Sequence, residues 1–234
     1  MIQVTLPPLL SGHPVKGQED PFDTACKKAI LGCDSGLMTY NLAADSLAAA
    51  LVFAPEVPLR QAMAMLPTCG VGFQNALGAL APPEVAVHLE WQGQMRINGA
   101  RCGALRCAAS STDADTIPDW LVIGLQLPLW PSSQDGGDTP DNTALYGEGC
   151  AEVKAPALLE SWARHSLHWI TRWENGDRQA LHAAWRGLAW GTGEDTVQVG
   201  LSGTFLGIDE DFGMLLRAGD TTHLIPLTSL LETP

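Results

Sequence analysis

The sequence predicts an α+β fold: a mixed β-sheet with packed helices over residues 1–188, then a small antiparallel β-barrel over residues 189–234. Three observations carry that expectation. From Val85 to Leu129 apolar residues recur with a period of two and end in a nearly continuous apolar run, the pattern of half-buried and fully buried strands. From Pro156 to Leu188 the period changes to that of an amphipathic helix. After Gly191 short apolar runs alternate with turns rich in Gly and Asp. Helices are expected on one side of the sheet.

Composition bounds the function classes. The 234 residues suffice for a substantial core, and 46% hydrophobic residues exclude a disordered chain. Thirteen Lys and Arg against twenty-six Asp and Glu give a net charge of -13, which repels a phosphate backbone and an anionic bilayer. Neither nucleic acid nor membrane is therefore an expected partner. The first residues, Met1-Ile2-Gln3-Val4-Thr5-Leu6-Pro7-Pro8, lack a basic region followed by a long apolar segment, so the expectation is a cytoplasmic protein with reduced thiols. The six cysteines lack C-x-x-C spacing, so no metal site is expected, and the plainer reading is small buried hydrophobes.

The elements follow in order. Residues 1–21, rich in Pro and Gly, read as an extended lead-in with Asp20-Pro21 as a helix entry. Phe22, Ala25, Cys26, Ala29 and Ile30 recur at helical spacing, and Gly32 stops that helix. Leu37–Tyr40 is the first expected strand, Asn41–Ser46 a short loop, and Leu47–Pro55 a second apolar strand. A helix is expected around Leu59–Leu66. The Cys69-Gly70-Val71-Gly72-Phe73 that follows lacks the G-x-G-x-x-G spacing of a phosphate loop, so its glycines suit close helix packing.

Val85, Val87 and Leu89 alternate, Met95 and Ile97 flank Arg96, and Asn98-Gly99 signals a two-residue turn because both positions tolerate positive φ. Residues 108–119 form a hairpin-like connection. Leu121, Val122, Ile123, Leu125, Leu127 and Leu129 make the run of a central strand buried on both faces. Residues 131–143 are too rich in Gly, Asp and Pro to pack, and read as a disordered stretch or a flap over a site. Leu158, Trp162, His165, Trp169 and Trp173 then form one helical stripe, ending near Asn175-Gly176, and Leu181, Ala184, Trp185 and Leu188 a second. A tryptophan stripe at that spacing reads as core, with His165 a hydrogen-bonded core histidine. Asp209-Glu210-Asp211 misses the spacing of a calcium loop and suits a hairpin turn.

Three segments carry a family resemblance. Glu90-Trp91-Gln92-Gly93-Gln94 stands in the frame of K-W-P-N-D. Asn98-Gly99-Ala100-Arg101-Cys102-Gly103 matches an N-G turn followed by a basic residue and a glycine. Val122-Ile123-Gly124-Leu125-Gln126-Leu127-Pro128-Leu129 matches V-I-G-I-G-I-N-V. In these the chain resembles the biotin protein ligases, and more widely the biotin/lipoate A/B protein ligase superfamily, as a divergent branch. Gly203 to Leu216 resembles the G-x-x-x-G-I-D-x-D-G-x-L-L of the SH3-like barrel that ends many such ligases. The resemblance covers most of the chain. It implies ATP, Mg2+ and biotin as cofactors and substrates, and a carrier-protein lysine as acceptor of the biotinyl group. The DNA-binding domain that precedes some ligases has no residues left for it here.

The resemblance fails at the chemistry. The family's G-R-G-R-x-G-R loop, which holds acid and phosphates, is replaced by Asn41-Leu42-Ala43-Ala44-Asp45-Ser46, and the motif lysine by Glu90. At roughly 4 Å and an effective dielectric near 20, a charge pair is worth about 4 kcal/mol, so reversing its sign moves the site by about twice that against an adenylate. Arg101 keeps one basic position.

No catalytic residue is singled out, and three readings follow. In the first the chain is a non-catalytic or repurposed member that binds a small carboxylic acid in a pocket lined by Glu90, Trp91, Arg101, Gly103 and Gly124. There Trp91 is an apolar wall, Arg101 a fork for a carboxylate, and Gly103 a place of close ligand approach. In the second it is an active ligase or acyltransferase modifying a carrier-protein lysine, with Cys69, Cys102 or Cys107 as nucleophile. In the third it is a scaffold for a protein partner. Arg101 also has a purely structural reading, neutralising Glu90 across the Asn98-Gly99 hairpin.

Overall fold

The computed structural model describes residues 4–131 and 141–233. Of the expected flap or disordered loop of 131–143, residues 132–140 lie outside them, while Asp141 and Thr143 are hydrogen-bonded through their backbones to Arg101. Seven strands, β1 (Ser11–Pro14), β2 (Leu37–Leu42), β3 (Ser46–Phe53), β4 (Val87–Leu89), β5 (Gln94–Ile97), β6 (Ala100–Ala109) and β7 (Leu121–Pro128), form one sheet. Their order is β1-β2-β3-β7-β6-β5-β4, with β1 parallel to β2 and the other neighbours antiparallel. The sheet is thus mixed, as expected. β7 is the middle strand, and the side chains of Leu121 to Ile123 are buried, as its unbroken apolar run requires. β1 was hidden in the lead-in because Ser-Gly-His-Pro carries no period and an edge strand bonds on one side only.

The helices cover both faces of the sheet, not one. α1 (Pro21–Ile30), capped by Asp20, which accepts from the Phe22 N–H at 2.9 Å, buries Phe22, Ala25, Cys26 and Ala29. They pack on Ala50, Val52, Ala108 and Val122. The alternate residues of the same strands, Leu47, Leu51, Cys107 and Ile123, point into a larger core under α3 (Met65–Gly78), α4 (Ala155–Glu174) and α5 (Arg178–Leu188). β3 is apolar at both sets of positions, which demands cover on both sides.

The helix expected to end at Leu66 is split and longer: α2 (Leu59–Ala62) gives way to α3, which runs on through Gly70 and Gly72. A Cβ on Gly72 would lie 2.6 Å from the Ser166 hydroxyl and 2.9 Å from its backbone, so glycine is what lets α3 and α4 cross this closely. The tryptophan stripe is core. Trp162 donates its indole N–H to the Cys69 carbonyl at 3.0 Å and Trp169 to the Asn75 side chain at 2.7 Å. His165 departs from expectation. It sits half-buried at the edge of the stripe, and no hydrogen bond to its ring occurs among the described residues.

β8 (Asp195–Gln198), β9 (Leu201–Ile208), β10 (Met214–Ala218) and β11 (Thr221–Ile225) form a second, antiparallel sheet in the order β11-β10-β9-β8. Asp209 closes the β9–β10 turn by accepting from the backbone N–H of Asp211 at 3.0 Å and of Gly213 at 2.7 Å, a hairpin use of that acidic run. Phe205, Phe212, Met214, Leu216 and Ile225 join the core of the large sheet. All six cysteines are free thiols, five of them buried. Among the described residues no helix is long and apolar enough to cross a membrane.

Candidate functional site

Where the second sheet meets the β4–β5–β6 end of the first, a cleft of about 190 Å³ opens, lined among others by Glu90, Trp91, Arg96, Arg101, Trp190 and Asp195. Local turn chemistry builds it. Asn98 (φ 51°) and Gly99 (φ 93°) turn β5 into β6 with both residues left-handed, as their sequence predicts. Glu90 opens the longer β4–β5 turn: its N–H donates to the Gln94 carbonyl at 2.8 Å, and its carbonyl accepts from Gly93 at 3.0 Å.

These two turns bring one carboxylate between two guanidinium groups. Glu90 accepts from Arg96 Nε at 2.6 Å and from Arg101 Nε and Nη2 at 2.8 and 3.1 Å. The side chains of Glu90 and Arg96 are 10% and 13% exposed, that of Arg101 43%. Burial pushes the Glu90 carboxyl up, but the hydrogen bonds and charges of Arg101 and Arg96 outweigh it and hold the group below the ordinary carboxylate range. Arg96 also donates to the Gly99 carbonyl at 2.5 Å and lies over Trp190, 4.7 Å from the ring centre. Sequence reading missed both residues. The only signal for Arg96 was a charge at a strand position opposite His88, next to the hairpin that carries Glu90.

Of the five residues expected to line a pocket, Glu90, Trp91 and Arg101 come together here. Trp91 is 4% exposed and donates its indole N–H to the Phe212 carbonyl at 2.8 Å. Gly103 and Gly124 do not line the cleft. Gly103 (φ 84°) sits in a bulge of β6, where a Cβ would stand 2.3 Å from the Gln126 carbonyl oxygen of β7. A Cβ on Gly124 would meet the Phe22 ring at 2.6 Å. Both glycines admit close approach, by a neighbouring strand and by α1.

The segment in the place of the family's arginine- and glycine-rich loop is short. The loop expected at Asn41–Ser46 shrinks to a turn of residues 43–45 joining β2 to β3, with Leu42 opposite Leu47 and the Asp45 carbonyl accepting from Leu129 N–H at 2.7 Å; the segment contributes no arginine and no glycine. The thiols fare no better as nucleophiles. Burial pushes Cys69, Cys102 and Cys107 up to about 12, so each is a thiol at neutral pH.

A second ion cluster lies five residues on along β6. Arg106 donates from Nε to both carboxylate oxygens of Glu232 at 2.9 and 3.1 Å, from Nη2 to Glu232 at 2.7 Å, and from Nη1 to Asp20 at 2.6 Å. Its guanidinium stacks on Phe22, 4.3 Å from the ring centre. Glu232 N–H donates to the Cys107 carbonyl at 2.8 Å, so the segment after β11 is laid along β6.

The model of the Biotin/lipoate A/B protein ligase family matches residues 6–187, and that of a domain of unknown function (DUF4444) matches residues 192–233. Among solved structures, a biotin protein ligase-like protein of unknown function from Silicibacter sp. TM1040 is 67% identical, with a TM-score of 0.94 over 99% of this chain and 100% of that one. The Aquifex aeolicus biotin protein ligase in complex with biotin and ATP is 12% identical, with a TM-score of 0.71 over 92% and 95% of the two chains. The Leishmania major ligase in complex with biotinyl-5-AMP is 13% identical, with a TM-score of 0.57 over 94% and 98%. The last two share the fold alone. No curated protein matches the sequence.

Proposed function

Because this chain belongs to the biotin/lipoate A/B protein ligase family, we propose that it is a member without adenylating activity that keeps a cleft for a small carboxylic acid. One observation carries the reading: Glu90 stands where the resemblance calls for a lysine and is held by Arg96 and Arg101. A carboxylate there repels the acid and the phosphates that an adenylating site must bring together. Two guanidinium groups against the one carboxylate between them leave that cluster a net positive charge, with Glu194 and Asp195 on the far wall of the cleft. Arg101 is the more exposed of the pair, and its Nη1 makes no hydrogen bond among the described residues, so it is the donor for a ligand carboxylate, with Trp91 and Trp190 as walls.

The test has two parts. Pyrophosphate exchange with biotin and ATP stays at background, and Glu90→Lys alone does not restore it, because one lysine cannot replace the missing loop. Biotin, lipoate or octanoate raises the melting temperature of the protein, and Arg101→Ala removes that rise. If none of the acids stabilises it, the cleft is a surface for a protein partner, the scaffold reading. A ligase or acyltransferase acting on a carrier-protein lysine would need an adenylate site or a reactive thiol, and the buried protonated cysteines argue against the latter. Six free thiols suit a reducing compartment such as the cytoplasm.

A further inference from the structure

Arg106 presents the arrangement in which proteins bind a carboxylate, and its occupant comes from the chain itself. The Nε–Nη2 edge of the guanidinium, the edge that matches a carboxylate in parallel, faces Glu232, while Asp20 takes only Nη1. The Phe22 ring backs the guanidinium plane and fixes its orientation. Asp20 and Phe22 belong to α1 and its cap, packed against the sheet, and cannot leave without breaking the core there. Glu232 is different. It is 126 positions from Arg106 in sequence, and its side chain is 41% exposed. Between Leu230 and Glu232 the backbone hydrogen bonds among the described residues are Leu231 N–H to the Thr228 carbonyl and Glu232 N–H to the Cys107 carbonyl, the Cys107 thiol donates to the Leu230 carbonyl at 3.4 Å, and Leu230 and Leu231 are half-buried against the core. The contrast with Glu90 is direct: that carboxylate is carried by the β4–β5 turn and cannot vacate Arg101 without moving the sheet.

We propose that Arg106 is a second carboxylate-binding site, that Glu232 occupies it as a built-in substitute for the ligand, and that an incoming small carboxylic acid displaces the Leu230–Glu232 strap. This rests on the reading that the protein binds small carboxylates, and it assigns the head group to Arg106 as well as to Arg101. An acid that takes the Nε–Nη2 edge inherits the fork and the stacked guanidinium. The released strap loses its hydrogen bond to β6 and uncovers the Cys107 thiol, now 1% exposed.

The experiment uses the full chain with octanoate and acetate as probes, comparing the unmodified protein with Glu232→Gln, Glu232→Gln plus Arg106→Lys, and Arg101→Ala. Glu232→Gln is expected to bind about two-fold more tightly by calorimetry, the factor that a strap closed about half of the time imposes on the apparent affinity. Arg106→Lys added to Glu232→Gln, which keeps the charge but not the fork, abolishes that gain. Deuterium uptake over residues 226–233 of the unmodified protein rises when octanoate is added. Acid binding that is unchanged in Glu232→Gln but lost in Arg101→Ala overturns the inference and leaves the cleft reading standing. An absence of binding in every variant overturns both. A gain in Glu232→Gln that survives the addition of Arg106→Lys overturns the assignment to Arg106.

Discussion

The two arginine–carboxylate clusters on β6 are five residues apart and built in opposite ways. At Arg101 two guanidinium groups share one carboxylate, and all three residues lie within the β4–β6 segment from 90 to 101. At Arg106 one guanidinium holds two carboxylates drawn from residues 20 and 232. The first is set by two adjacent turns and cannot open without unmaking them. The second exists only once distant parts of the chain have come together, and one of its members rides on the terminal segment, held by one backbone hydrogen bond to β6 and by the half-buried Leu230 and Leu231. Ion pairs that look alike as distances therefore differ in what they can do: one is architecture, the other can exchange its partner.

That comparison can be broken by stability measurements. Glu90→Ala strands the largely buried Arg96 guanidinium, Arg101 being free to turn to solvent, and is expected to cost about 3 kcal/mol by denaturant titration. A loss below about 1 kcal/mol would make the cluster no more than a surface pair.

Acid sharpens the same point. The Glu90 carboxyl is held below its ordinary range, so it contributes stability that is complete above the unfolded value, near about 4.3, and is lost as pH falls through its depressed folded value. The stability gap between the unmodified protein and Glu90→Gln should shrink only under about pH 4. A gap that closes near neutrality would contradict the assignment.

Arg106→Ala, in contrast, leaves two half-exposed carboxylates and removes the stacking on Phe22. About 1–2 kcal/mol is expected. Glu232→Gln should cost about 0.5 kcal/mol, and that cost should vanish in about 1 M salt, whereas the Glu90 effect persists. Equal salt sensitivity of the two would erase the distinction drawn between them.

Much of the fold was legible because it rests on period and turn chemistry. The apolar run of 121–129 announced a central strand, Asn98-Gly99 the β5–β6 hairpin, and the tryptophan stripe a core helix. One-sided helix cover was a misreading: alternation in β3 is between apolar and apolar, and only both sets of positions taken together tell that two faces are buried. The site was half legible. Glu90, Trp91 and Arg101 were found because their neighbours keep a recognisable frame. Gly103 and Gly124 were read as openings for a ligand because a glycine signals close approach without saying by what. Arg106 carried no signal at all. Its partners are 86 and 126 positions away, and no local pattern in a sequence encodes a contact at that separation.

The indole of Trp91, which gives its proton to a carbonyl of the second sheet, has a consequence for how the molecule comes apart. The two matched family segments meet between residues 187 and 192, which invites cutting the chain there into separate modules. A fragment ending at that boundary would exchange the acceptor of that indole N–H for water, and would uncover the large-sheet surface on which Phe205, Phe212 and Met214 now rest. The carboxy-terminal strands are in this sense a closing plate and not an appendage. Heating should melt both sheets in a single calorimetric transition, and neither half should refold alone to the state it has in the whole.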